Sequence, residues 1–290
     1  MSEPAPRPPG AHVAPGYIVL GHLHRSRAFD VYDAWSEERG CRCVAKALRP
    51  DRREDERAVR RLLREGRLLV SLSHPHIVRG YDVVKEPEPV IVTETIGGET
   101  LAHLVEERGH PLAAADVAQL GLHLCSAVGY LHRRGYLHLD LKPANVVAEA
   151  GRAKVIDLSL ARRPGRLPAG LGTWCYLAPE QARGGAIGPA ADIWGIGLVL
   201  LESASGRIVF DDESCSDETP YYPQLEQAPP PLASLRRVPA ALARAVDACL
   251  RPEPGERPTV VELEAALAQV EGVEPPPQLG GAPAGLSARG

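Results

Sequence analysis

Apolar and polar positions change rhythm along this chain, and the change divides it. Residues 17–20, 29–35 and 41–48 are short β-branched or aromatic runs set off by polar turns, and they predict three strands. Residues 53–71 switch to helical spacing: Val59, Leu62, Leu63, Leu69 and Val70 form a stripe between charges. Two more strands are predicted over 77–84 and 89–95, and Gly97-Gly98 then breaks the chain. Beyond it, Val117, Leu120, Gly121, Leu124, Ala127, Val128 and Leu131 recur on one helical face. Residues 192–206 are apolar on nearly every face, which predicts an interior helix with Asp192 placed to cap it. Thr259 and Glu262 form a capping box opening a last helix that stops before Gly272. The organisation read from this is α+β: a small β-rich lobe over 17–96, a larger α-rich lobe over 97–271, and a cleft between them.

Composition narrows the classes. The net charge of −4 over 290 residues gives no nucleic-acid signature, and the basic cluster at 49–67 is interleaved with acidic residues as on a solvated helix face. The longest apolar run, 193–201, is far short of the roughly 20 residues a membrane span needs. Residues 1–16 and 272–290 are rich in Pro, Ala and Gly, and are read as disordered tails without a signal peptide's apolar segment. The six cysteines are scattered through mostly apolar runs, with Cys41 and Cys43 the only tight pair, so they are read as free thiols of a reducing, cytoplasmic setting. Oligomeric state leaves no trace in the sequence.

Three segments carry chemistry. HLDLKPANVV (138–147) puts a carboxylate (Asp140), a cation (Lys142) and a carboxamide (Asn145) within six residues, fixed by a proline. In KVIDLSL (154–160) a strand-like run ends in Asp157, twelve residues after Asn145. Two oxygen ligands on either side of a hairpin can hold Mg²⁺, which takes a few protein oxygens and completes its shell with substrate phosphates. CVAKAL (43–48) sets Lys46 among apolar neighbours, where it needs an anionic partner; Glu65 on the following helix is the natural one, with Leu69 packing one turn on.

In this order and spacing the segments resemble the serine/threonine protein kinases of the eukaryotic-like type, over about residues 17–271. VAK (44–46) resembles the strand-three lysine motif, HLDLKPAN (138–145) the catalytic loop, and DLS (157–159) the metal-binding motif. APE (178–180), DIWGIG (192–197) and Arg257-Pro258 resemble later landmarks of the family. The resemblance implies a bilobal fold, ATP and Mg²⁺ as ligands, and Ser or Thr of a protein as acceptor. It implies that Asp140 orients the attacking hydroxyl and Lys142 neutralises γ-phosphate charge. Asn145 and Asp157 hold the metal, and Lys46, paired with Glu65, contacts the α/β-phosphates. Leu23, Val31, Ala45, Thr93 (as gatekeeper), Glu94 and Ile96 line the nucleotide, and Thr173 bonds the catalytic loop. His138 is read as a core histidine, Glu180–Arg257 as a structural pair, and Asp192 as a helix cap that also steadies the catalytic-loop backbone.

The pattern also departs from the family. The phosphate-covering loop reads LHRSRAFDV (23–31), with His24, Ser26 and Phe29 where the family has glycines, so a stiffer loop is expected. Leu139 replaces an arginine that in the family often binds an activation-segment phosphate, and residues 160–172 carry no hydroxyl side chain. Activity without activation-segment phosphorylation follows as the expectation. Ser159 stands where the metal motif usually ends in glycine. Residues 219–232 hold five prolines in place of a helix, and the acidic run 211–218 is read as a solvated loop. Two rival readings stay open: a pseudokinase that binds nucleotide or a partner, supported by the glycine-less loop, and a small-molecule phosphotransferase.

Overall fold

The computed structural model describes residues 4–107, 111–210 and 221–270. The strand-forming runs build one antiparallel sheet. In chain order come β1 (His12–Ala14), β2 (Tyr17–Arg25), β3 (Phe29–Ser36) and β4 (Cys41–Leu48), then helix α1 (Glu56–Ser71), then β5 (Gly80–Val84) and β6 (Val90–Glu94). Across the sheet the order is β1-β2-β3-β4-β6-β5. Helix α1 starts where Asp55 accepts hydrogen bonds from the Arg57 and Ala58 N–H groups. Its buried stripe of Ala58, Leu62, Glu65, Gly66 and Leu69 faces the sheet, and a Cβ added at Gly66 would lie 2.8 Å from Val83, so this approach requires glycine. The other sheet face has its own core, in which Tyr17, Val19, Tyr32, Cys43, Ala45 and Val92 are buried.

Residues 4–16 are not the disordered tail their composition suggests. From Pro4 onward the segment runs along the sheet as a strap. The Arg7 N–H donates to the Tyr32 hydroxyl, Arg7 pairs with Glu88 at 2.7 Å, and Arg25 Nη1 donates to the Pro4 carbonyl. Val13 and Ala14 are buried in the outer core. Proline restricts the unfolded chain, so fixing such a segment costs less entropy than its lack of large apolar residues implies.

The second lobe opens with β7 (Glu99–Thr100) and α2 (Ala114–Arg133), followed by the hairpin β8 (Val146–Glu149) and β9 (Arg152–Val155). Next come β10 (Gly165–Leu167), α3 (Pro179–Arg183), β11 (Gly185–Ile187) and α4 (Ala190–Ser205), with β10 pairing antiparallel to β11. Helices α5 (Leu232–Leu235), α6 (Ala240–Cys249) and α7 (Val260–Leu267) complete it. Every residue of α4 from Ala191 to Ala204 is buried, as its all-round apolarity requires. Thr259 and Glu262 form the expected capping box at the start of α7. Among residues 221–231 the only regular piece is a single 3-10 turn, Pro223–Leu225, consistent with the prolines there excluding a helix. The acidic run 211–218 and the expected tail 272–290 lie outside the described residues.

The expectation for Asp192 fails for the cap and holds for the catalytic-loop backbone. The helix begins at Ala190, ahead of it, and Asp192 makes no cap. Its carboxylate turns to the catalytic loop, accepting the His138 and Leu139 N–H groups, each at 2.8 Å. Leu139 needs that hold, because its φ of 68° is left-handed backbone that a residue with a Cβ adopts at a cost.

A histidine seam joins the loop after α1 to α2. The His76 ring stacks on His123 with centroids 4.1 Å apart, and His74 stacks on Tyr130 at 4.9 Å. His76 Nδ1 meets the Ala153 carbonyl at 2.8 Å, while the Ala153 N–H donates to His123 Nδ1. Burial first, then the neighbouring His76, pushes His74 and His123 down to about 4 from the ordinary 6.5. Arg133 acts on His74 and Arg152 on His123 in the same direction. Between those values the unfolded chain takes up protons that the folded chain refuses. The contribution is therefore complete above pH 6.5 and lost as pH falls toward 4. Thermal denaturation should show a midpoint that drops over this range, and His123→Gln should make the drop shallower than in the wild type.

Candidate active site

Strand register decides which side chains reach the cleft. Val31, Lys46 and Ile91 are directly opposite one another across β3, β4 and β6, as are Val44 and Thr93, so these share one face. Ala45, between Val44 and Lys46, points the other way into the outer core and is fully buried there. Against expectation, Ala45 therefore does not share the cleft face with Lys46, and Val44 does. Which of two adjacent residues faces the cleft depends on the face Lys46 adopts, and the motif alone did not settle it. Leu23 lies at a register shift in β2, between the His22–Tyr32 and His24–Val31 pairs, and is 58% exposed. Thr93, Glu94 and Ile96 are half-buried at the link between lobes. The Glu94 carboxylate is engaged elsewhere, pairing with Lys154 at 2.5 Å and accepting the Arg79 N–H.

Lys46 is the meeting point. Its Nζ lies 2.9 Å from both Glu65 oxygens and 2.9 Å from Asp157 Oδ2. Burial works against the charge on Lys46, but Asp157 and Glu65 together hold the ammonium protonated above its ordinary range. Burial likewise opposes charge on Asp157, yet Lys46, then the Ser159 side chain and N–H, hold its carboxyl well below the usual carboxylate range. Burial pushes the Glu65 carboxyl up, and Lys46 acts against it. The cluster holds one cation and two carboxylates, drawn from β4, α1 and the segment after β9.

The lower part of the site is a hydrogen-bonded chain. Lys142 Nζ donates to the Thr173 hydroxyl at 2.7 Å, and that hydroxyl donates to Asp140 Oδ1 at 2.7 Å. The Thr173 N–H also reaches Asp140 Oδ1, and Asn145 Nδ2 donates to the Asp140 carbonyl and to Oδ2. Asn145 therefore keeps its side-chain oxygen as an acceptor. As expected, hairpin β8–β9 separates Asn145 from Asp157. Asn145 and Asp157 offer two protein oxygen ligands, which suits a small hard cation that takes its other ligands from phosphate and water. His138 is buried at 1% exposure, with Nδ1 accepting the Asp140 N–H, a core residue that props the loop. Arg257 holds Glu180 in a two-pronged pair at 2.7 and 2.8 Å, with its guanidinium group over Trp194.

Two features escaped the sequence reading. Arg61 and Arg64 of α1 reach the metal motif, Arg61 Nη2 to the Ser159 hydroxyl at 3.3 Å and Arg64 Nη2 to the Ser159 carbonyl at 3.0 Å. In the sequence both belong to an unremarkable charged face. The glycine-less loop is a side-chain-built hairpin: Arg25 holds the buried Asp30 at 2.7 and 2.9 Å, and His22 adds 3.0 Å. Phe29, in a glycine position, is buried with its ring centre 5.2 Å from Lys46 Nζ and 5.2 Å from Arg61 Cζ.

Comparison with known proteins agrees with this geometry. Residues 26–267 match the protein kinase domain. Serine/threonine-protein kinase PknB of Mycobacterium tuberculosis is 33% identical over 247 residues, covering 80% of this chain and 39% of that protein. Serine/threonine-protein kinase PrkC of Bacillus subtilis is 36% identical over 214 residues, covering 71% of this chain and 33% of that protein. The chain thus spans between a third and two fifths of the length of these relatives. The crystal structure of the M. tuberculosis PknI kinase domain superposes with a TM-score of 0.73 at 25% identity, covering 92% of this chain and all of that one. With an upper-lobe lysine joined to a lower-lobe aspartate on the matching bilobal scaffold, the chain belongs to the protein kinase family.

Proposed function

We propose that this protein transfers the γ-phosphoryl group of ATP to Ser or Thr hydroxyls of protein substrates. The observation that carries the reading is the union of Lys46, Glu65 and Asp157 within 2.9 Å contacts across the cleft. In the transfer, the acceptor oxygen bonds to the γ-phosphorus, the bond to the bridging oxygen of ADP breaks, and the hydroxyl proton leaves toward Asp140. Asp140 is already an acceptor held in place by Thr173, so it is oriented before a substrate arrives. Lys142, tied to the same threonine, sits where charge on the transferring group needs a cation. Lys46 meets the α/β-phosphates, and Val31, Val44, Thr93 and the backbone at Glu94–Ile96 frame the base. Asn145 and Asp157 are the Mg²⁺ ligands in this reading, and the ion when bound neutralises phosphate charge.

Order in the activation segment is supplied without a phosphate. Leu139 is 4% exposed and packs in the core, its carbonyl takes the Gln181 amide, and β10 pairs with β11 beyond it. Arg61 and Arg64 anchor the start of the segment at Ser159. A pseudokinase reading draws on the loop, whose Arg25–Asp30 pair leaves little freedom for backbone to close over phosphates.

With labelled ATP, Mg²⁺ and a generic protein acceptor, the wild type should label Ser or Thr. Asp157→Ala should lower the rate by at least roughly a hundredfold, as loss of one fixed electrostatic group does elsewhere. Nucleotide binding without label in the wild type would favour the pseudokinase. Phosphatase-treated protein should retain its full initial rate, measured before any new phosphate accumulates; a large fall after treatment would overturn the phosphate-independent arrangement.

A further inference from the structure

A cavity of about 300 Å³ opens between the turn at Ser26–Phe29 and the start of α1. Four guanidinium groups line it, those of Arg27, Arg52, Arg57 and Arg61, against a single carboxylate, Asp55. That carboxylate is engaged with the helix, accepting the Arg57 and Ala58 N–H groups at 3.0 and 3.1 Å. Two of the guanidiniums carry buried donors without an acceptor: the Nε–H groups of Arg52 and Arg61. Arg52 has Asp51 nearby at 3.6 Å, beyond hydrogen-bond reach. A buried N–H without an acceptor is costly, and two of them on arginines lining one concave, strongly positive space call for an acceptor with several oxygens.

From this we propose that the cavity is a binding site for a phosphate-type oxyanion. Tetrahedral oxyanions match the planar donor forks of arginine, and several forks around one small space favour a doubly charged group over a halide. The site is coupled to the catalytic cluster. Arg61 bonds the Ser159 hydroxyl, and its guanidinium lies on the Phe29 ring that also meets Lys46. An anion drawn onto Arg61 and Arg52 thus ties the loop turn to α1, the helix that carries Glu65. Residues 160–172 offer no hydroxyl to phosphorylate, and the anion in this proposal is either free in solution or carried by a phosphorylated protein.

The test titrates inorganic phosphate into the full chain at constant ionic strength with chloride as balance, following the arginine Nε–H resonances. Saturable shifts of the Arg52 and Arg61 signals are expected, with binding roughly tenfold or more weaker in Arg52→Gln/Arg57→Gln, since charge-assisted hydrogen bonds are lost. Arg57→Glu, a reversal at an exposed position, provides a second variant should the first denature early. Absence of saturable shifts, or undiminished phosphate binding in a folded variant, overturns the proposal; the latter result assigns the ion to the nucleotide cleft. A phosphoserine peptide binding more tightly than free phosphate identifies a phosphorylated protein as the source, and equal affinity identifies the free ion. Because the readout is binding, failure here leaves the reading of the reaction untouched, and loss of transfer activity leaves the anion site standing.

Discussion

One ammonium group shared by two carboxylates organises this molecule. A buried carboxylate such as Glu65, 2% exposed, is untenable in an apolar stripe unless a cation meets it. Lys46 reaches it only if β4 lies in register between β3 and β6, and only if α1 sits close enough to the sheet for Gly66 to be required. Asp157 can share the same ammonium only if hairpin β8–β9 brings the end of its strand up against the upper lobe. Each of the three contributing elements is thereby fixed by a common electrostatic demand, and the cleft takes its shape from that demand.

Where the family relies on backbone freedom, this chain uses side chains. The loop over 23–31 is held by Arg25, Asp30 and His22, and the last of its positions where the family has glycine carries a buried phenylalanine. The start of the activation segment is held by two arginines from α1, which reach the Ser159 hydroxyl and carbonyl. Even the strap before β2 follows this logic, since Arg25 is tied to its carbonyl at Pro4. The common result is preorganisation, in which order is paid for during folding rather than at the moment of binding.

Much of this was legible in the sequence because it rests on local periodicity or on motifs whose residues lie close together. The stripe of α1, the all-round apolarity of α4, the Thr259–Glu262 capping box and the Asp140–Asn145 loop are of this kind. What escaped depends on distant partners. The strap is ordered by Tyr32, Glu88 and Arg25, which its own proline-rich composition does not foreshadow. Ala45 and Val44 differ only in which face the strand turns inward. Arg61 and Arg64 look like solvent-facing charges until the activation segment folds back beneath them.

The strap has a practical corollary for where the folding unit begins. Family likeness starts at residue 26, and motif-based reasoning starts the lobe at Tyr17, yet β1 and the Arg7 contacts lie upstream of both. A fragment starting at Tyr17 would bare Val19 and Tyr32 of the outer core and leave β2 as an unprotected sheet edge, and one starting at residue 26 would lose β2 as well and pass that edge to β3, in either case an invitation to self-association. The minimal autonomous piece of this polypeptide is therefore longer at its front than homology alone would delimit.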